Sequence, residues 1–370
     1  MPLSNEDNLR LNVLTAQPVK AIRINESSMV LTALTDKGEA RIDLNPNTQH
    51  EKYLREVREF LSEKYLGMPG GYPRHLERWT RMGNTQHSAD KMLLLGETEA
   101  IVALAYAHNL SAELAEYAWW AHQSPEIARN LLNSPKVADS ELAIELANFL
   151  LEFLPFEERP LDVVEGVKLC LYKDLISDEA KASLWERAKR KNPYLVGFML
   201  AGPQAIPLDE AAHLNYASLK ASLSEEIKND NDYALYYLHF LSEEGRKWLK
   251  LLKLTLKKPT EPNVVIALFI CIDHYIALPF ERRGVRDIQD AIELAQILCH
   301  GNDQPAALAK VIKCLDQTQI EQFKAMLVLA QLGENTLNTV FGGRDATGTV
   351  MRKNLTPVFT PIVQAIDTLL

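Results

Sequence analysis

The sequence predicts a mainly α-helical protein: a small N-terminal three-stranded antiparallel β-meander with a covering helix, followed by a HEAT-like α-solenoid or irregular helical array. Three observations predict it. Short β-branched and aliphatic runs are confined to residues 21–44, where turn residues separate them. After Gly83 apolar residues recur with helical spacing and no convincing strand interrupts them. Helix-start signals are frequent: Ser124-Pro125, Asn192-Pro193 and Thr360-Pro361 each read as an N-cap followed by proline at the first helical position. The chain therefore divides into a small α+β module, 1–83, and an all-helical array, 84–370.

Taken in order, Ser4 can cap a first helix with Asp7 at N3, carrying Leu9, Leu11, Val13 and Leu14 to about Thr15. Pro18 ends it. The runs A-I-R-I at 21–24 and V-L-T-A-L at 30–34 flank the turn-like 25–28, and Asp36-Lys37-Gly38 reads as a tight hairpin into 39–44. A helix over 48–66 follows, with Tyr53, Leu54, Val57, Phe60, Leu61 and Tyr65 on one face and Gly67 as its C′ residue. A lone three-stranded sheet needs a cover, and this helix is the nearest one.

Residues 67–83 open with glycine and proline and continue as a short helix. Arg74, Arg78 and Arg81 fall at i, i+4 and i+7 on one stripe, while Leu76 and Trp79 point elsewhere. Helices then start near Thr85, Glu97, Ser111 and Ser124. Longer ones are expected over about 139–154, 161–172, 178–191, 208–223, 231–243, 262–278, 285–300, 304–315 and 317–332. The sequence L-P-F-E at Leu154–Glu157 recurs at Leu278–Glu281, a weak internal repeat. No strict period emerges, so a compact bundle is the alternative to a solenoid. Residues 333–349, rich in Gly, Thr and Asn, read as a mobile loop. A last helix is expected from about Pro361 to Leu370.

Composition excludes more than it selects. Net charge is −9, against a nucleic-acid binder held by bulk electrostatics, and DNA is not an expected partner. Residues 1–83 carry 12 Lys and Arg against 11 Asp and Glu, and the rest carries 28 against 38, so the acidity belongs to the helical part. The N-terminal stretch lacks the positive region and apolar run of a secretory signal, and no apolar run approaches the ~20 residues of a membrane span. Four scattered cysteines, Cys170, Cys271, Cys299 and Cys314, lie in apolar helical surroundings, which fits buried thiols in a reducing cytoplasm.

Two basic stretches could bind a partner. Arg74, His75, Arg78 and Arg81, preceded by Gly70-Gly71, could hold an anion or phosphate; the alternative is a salt-bridged face. Arg246–Lys258 carries six positive charges and no negative one. Lys247, Lys250, Lys253 and Lys257 line one face and Leu249, Leu252 and Leu256 another. Such a helix can bind a partner helix, RNA or a membrane surface, or pack with its lysines against carboxylates. Gly343 and Gly348 are spaced like phosphate-loop glycines, but Thr349 stands where the lysine is needed and no strand precedes them, so that motif is rejected. No metal-ligand spacing, dinucleotide fingerprint or nucleophile–base pair is present. No cofactor and no catalytic residue is expected.

Several short stretches carry a resemblance: N-L-R-L-N at Asn8–Asn12 with A-L-T at Ala33–Thr35, G-G-Y-P at Gly70–Pro73 with R-W-T-R-M-G at Arg78–Gly83, F-L-L-E-F-L-P-F-E at Phe149–Glu157, and R-K-N-P at Arg190–Pro193. In these the chain resembles the DsrS family, accessory proteins encoded with the reverse dissimilatory sulfite reductase system of sulfur-oxidising bacteria. The resemblance implies a soluble cytoplasmic accessory or regulatory protein for full oxidation of stored sulfur, with no active site to carry over. The expectation is a non-enzymatic factor acting through contacts with sulfite reductase or sulfur-relay proteins, or with RNA. The alternatives are a sulfur-handling enzyme using a cysteine persulfide and a purely structural helical-repeat scaffold.

Overall fold

Alternating side chains build the N-terminal sheet of the computed structural model, which describes residues 3–67, 90–107, 110–278, 285–301, 304–341 and 347–370. Strands β1 (Val19–Asn25), β2 (Val30–Thr35) and β3 (Gly38–Asp43) pair antiparallel in the order β1-β2-β3. Leu31, Ala33 and Thr35 are buried while their neighbours on β2 are half-buried, as a pleated strand requires. The β2–β3 loop is Asp36-Lys37, and Gly38 takes φ +104°, a conformation open to glycine. Thr35 Oγ1 accepts from the Lys37 amide at 3.2 Å and donates to the Gly38 carbonyl at 2.8 Å.

Helix α2 (His50–Leu66) supplies the expected cover and α1 (Asn5–Thr15) adds to it, joining Leu11, Leu14, Tyr53, Leu54, Val57 and Leu61 to Ile22, Leu31, Ala33 and Ile42 in one core. Ser4 caps α1 by accepting from the Asp7 amide. Asp7 itself is fully buried. Its Oδ2 accepts from the Tyr53 hydroxyl at 2.5 Å and the Asn45 amide at 2.8 Å, so one carboxyl ties α1, α2 and the end of β3 together.

The sheet has a second cover that the sequence did not announce. Ala21 and Ile22 are adjacent on β1, point to opposite faces, and are both fully buried. A 3-10 turn at Asp90–Leu94 and helix α4 (Ala112–Ala121) pack against β1. The helices that follow the sheet, α3 (Thr98–Ala105), α4, α5 (Pro125–Leu132), α6 (Pro135–Ala138) and α7 (Leu142–Phe153), thus belong to the sheet's own compact unit, Met1–Phe153. A boundary near residue 83 would cut through that unit. Ser111 and Ser124 cap α4 and α5, each accepting from the amide three residues on, and Pro125 stands at the first helical position.

The second unit, Leu154–Leu370, holds helices and no strand among its described residues. It holds α8 (Pro160–Cys170), α9 (Asp178–Ala188), α10 (Asn192–Ala201), α11 (Tyr216–Ser222), α12 (Ser224–Lys228), α13 (Asp232–Leu241), α14 (Glu243–Leu256), α15 (Pro262–Tyr275), α16 (Ile288–His300), α17 (Ala306–Lys313), α18 (Gln317–Leu329), α19 (Asn338–Phe341) and α20 (Gly348–Leu369). Helix α10 reads N-P-Y-L-V-G-F-M-L-A and is apolar on every side, so it sits at the centre, with Asn192 to Met199 all buried. It packs on α8, α9, α14 and α15. A one-dimensional repeat array restricts contacts to neighbours, whereas α10 meets α14, and α14 meets α20.

Several expectations need correction. The helix foreseen over 208–223 begins only at Tyr216. The preceding stretch is held open by the His213 amide, which donates to the Leu241 carbonyl at 2.8 Å. The stretch foreseen as a loop over 333–349 contains a 3-10 turn at Glu334–Leu337 and α19, both with buried residues, because Thr336, Leu337 and Val340 turn inward. Helix α20 starts at Gly348 and runs through both Pro357 and Pro361. An interior proline costs about 3 kcal/mol. Burial of Met351, Leu355, Val358, Phe359, Ile362, Ile366 and Leu369 offsets it, each worth roughly 1.5–3 kcal/mol. The second L-P-F-E copy extends into 279–281, outside the described residues. No described helix is long and apolar enough to cross a membrane.

Candidate functional site

Arg74, His75, Arg78 and Arg81 lie outside the described residues. The second basic stretch is described in full and forms most of α14. Leu249, Leu252 and Leu256 are buried, and Lys247, Lys250, Lys253 and Lys257 are half-buried or exposed. Lys250 pairs with Glu210 and Lys253 with Asp367, while Arg246 donates to the Leu370 carbonyl. Half of the lysine stripe is thus engaged in packing α14 against its own unit. Lys247 and Lys257 form no ion pair among the described residues.

Three thiols are sealed. Burial pushes Cys170 and Cys271 up to about 12 and Cys299 up to about 11. Cys314 departs from the expected buried set: it is exposed, just beyond α17, with its Sγ 3.5 Å from the Lys310 carbonyl. Among the described residues no group of three or more His, Cys, Asp or Glu could hold a metal ion.

The structure brings together an aromatic cluster that sequence reasoning missed. Helix α13 reads D-Y-A-L-Y-Y-L-H-F-L, and its aromatic density is the only sequence signal. His239 Nε2 lies 2.6 Å from the Tyr275 hydroxyl, and Tyr275 stacks on Trp248 with ring centroids 4.0 Å apart. Burial lowers His239, against the opposing pull of Glu244, and burial, followed by Glu244, raises Tyr275. A neutral imidazole beside a neutral phenol is a hydrogen-bonded anchor. The nearby Ser242 hydroxyl is spent as the N-cap of α14, accepting from Gly245 and donating to the His239 carbonyl.

His239 also lines a cleft of about 610 Å³ with Ala212, Tyr216, Ile227, Leu235 and Leu238 on its walls. Lys220, Ser242, Glu243 and Glu244 complete the lining. One side of the loop before α11 is pinned by a polar chain. The Asn215 amide donates to His213 Nδ1 at 3.2 Å, which leaves the ring proton on Nε2. The Gln322 carboxamide lies 3.3 Å from His213 Nε2 and 3.3 Å from the Tyr237 hydroxyl. The chain closes when the carboxamide oxygen faces His213. Tyr237 then donates to the Gln319 carbonyl at 3.1 Å. Burial, and then the Arg246 charge, lowers His213. The same loop leaves Leu214 almost wholly in water, 97% exposed.

In the first unit a polar cluster sits on the sheet edge. The Arg23 guanidinium lies 4.4 Å from the Trp120 ring centroid and pairs with Glu39 at 3.2 Å. Glu39 accepts from the Trp120 indole at 2.7 Å, so these groups satisfy one another and tie β1, β3 and α4. No protein-family model, no curated protein and no solved structure matches this chain.

Proposed function

We propose that this chain is a non-catalytic accessory and regulatory protein for bacterial oxidation of stored sulfur, acting in the cytoplasm through protein contacts. The sulfur assignment is supported by the resemblance carried between Asn8 and Pro193. The mode of action is supported chiefly by Leu214. It is 97% exposed and stands between Ala212 and Tyr216, two residues of the ~610 Å³ cleft whose wall includes the exposed Leu235. Burying such a leucine recovers roughly 1.5–3 kcal/mol. Glu243 and Glu244 are exposed on the same lining against one exposed base, Lys220, so its charge balance is acidic and the fitting partner offers an apolar side chain flanked by a base. Sulfite reductase or sulfur-relay proteins are the candidates. A persulfide enzyme would have to use Cys314, since the other three thiols are buried.

Affinity capture of the tagged full-length chain from sulfur-grown cells, with and without ribonuclease, tests this. Recovery of sulfite reductase or relay proteins, unchanged by ribonuclease and lost in Leu214→Asp/Leu235→Asp, is the expected result. Recovery that vanishes with ribonuclease, or persists in that variant while its melting curve is unaltered, overturns the protein-contact reading.

A further inference from the structure

A second cleft lies in the Leu154–Leu370 unit, between the end of α14 and the middle of α20. Its volume is about 330 Å³, near the lower bound for small-molecule sites. Leu256, Pro259, Phe359 and Val363 give it apolar walls, and Lys257, Arg352 and Gln364 give it polar ones. No carboxylate of the described residues lines it. This is unusual in a chain of net charge −9, where two of the three lysines within α14, Lys250 and Lys253, each meet an acid.

Neither cation is compensated by an acid among the described residues. Lys257 and Arg352 form no ion pair among the described residues, and Arg352 reaches only the Thr349 hydroxyl, at 3.0 Å. Helix electrostatics explains one of them. Lys257 is the C-cap of α14, where the dipole favours positive charge. Arg352 is not explained so, because it lies near the N-terminal end of α20, where a cation is disfavoured and the first turn carries no acid. Lys258 and Lys353, next in sequence to the two, are exposed and also unpaired among the described residues. The Gln364 side chain, on the same lining, makes no hydrogen bond among the described residues and leaves an amide donor free. Positive charge converges on an apolar-walled recess that no acid among the described residues balances.

We propose that this cleft binds a small organic anion. Its acid group, a carboxylate, sulfonate or phosphate, pairs with Lys257 and Arg352, and its apolar body lies against Phe359 and Val363. Arg352 offers a fork of donors for a two-oxygen acid and Lys257 a point charge. This site is separate from the Leu214 cleft and does not depend on the sulfur-oxidation reading.

Calorimetric titration of the full-length chain with naphthalene-1-sulfonate tests it, with 1-naphthylmethylamine and inorganic phosphate as comparison probes. Saturable binding of the sulfonate at one site per chain is expected. Lys257→Gln/Arg352→Gln should weaken it roughly tenfold or more. Both residues are at the surface, so the variant's melting curve should match the parent's, and Val363→Asp should remove binding by a second route. Equal affinity for the amine, equal affinity for phosphate alone, or undiminished binding by the folded double variant would each overturn the proposal.

Discussion

Cys314 and the three buried thiols differ by what surrounds the sulfur. Cys170 is fully buried, Cys271 and Cys299 nearly so, and burial holds their protons on. An aromatic disulfide reagent at neutral pH is therefore expected to release one equivalent of thiolate from the native chain, and none from a Cys314→Ser variant. The remaining three should react only on unfolding. Rapid release of a second equivalent would contradict the burial described. The sequence placed all four cysteines in apolar helices, and for three that placement holds. Cys314 escaped because it follows the last turn of α17, and a one-residue shift past a helix end changes which side of the helix a thiol faces.

Elements were legible in the sequence where local chemistry decides them. The meander, the Asp36-Lys37 hairpin, the caps at Ser4, Ser111 and Ser124, and the αL residue Gly67 are each set by neighbours in the chain. Elements set by distant contacts were not. Helix α20 passes two prolines because of its buried face, and residues 208–215 stay unwound because a backbone bond reaches across to Leu241. The His239–Tyr275–Trp248 cluster unites α13, α14 and α15, and no spacing rule links residues that far apart. The corner between α13 and α14 is tight. A Cβ on Gly245 would stand 2.0 Å from the His239 carbonyl oxygen and 2.6 Å from the Phe240 Cα. Gly245→Ala is expected to destabilise the protein by about 1–3 kcal/mol or more, measured by urea unfolding, despite alanine's higher helix propensity. A neutral or stabilising result would mean that the corner opens readily.

The whole molecule should respond to acid through its two low-pKa histidines. His213 and His239 are both held below the ordinary 6.5 by burial, so the unfolded chain takes up their protons first. Stability then rises with pH across that interval and is level above it, as far as these two rings decide. The Arg246 charge adds to the lowering of His213, while Glu244 opposes that of His239. Urea midpoints are expected to fall between about pH 7 and pH 5.5. His213→Gln/His239→Gln should show a shallower fall over the same range, and an equal slope would assign the effect elsewhere. At this scale the sequence conveyed fold class and charge asymmetry. It did not reveal the division at Phe153, because the second cover of the sheet comes from helices about ninety residues after β1 whose amphipathic pattern looks like that of any other helix.

Helix α10 has consequences for how this sequence can change over generations. Most helices keep an outward stripe on which mutations drift almost freely. Helix α10 has none from Asn192 to Met199. Each substitution there must be answered by a change on α8, α9, α14 or α15, so accepted mutations in this segment should come in compensating pairs. In a mutational library of the chain, these eight consecutive positions should form a gap in tolerance with no helical rhythm.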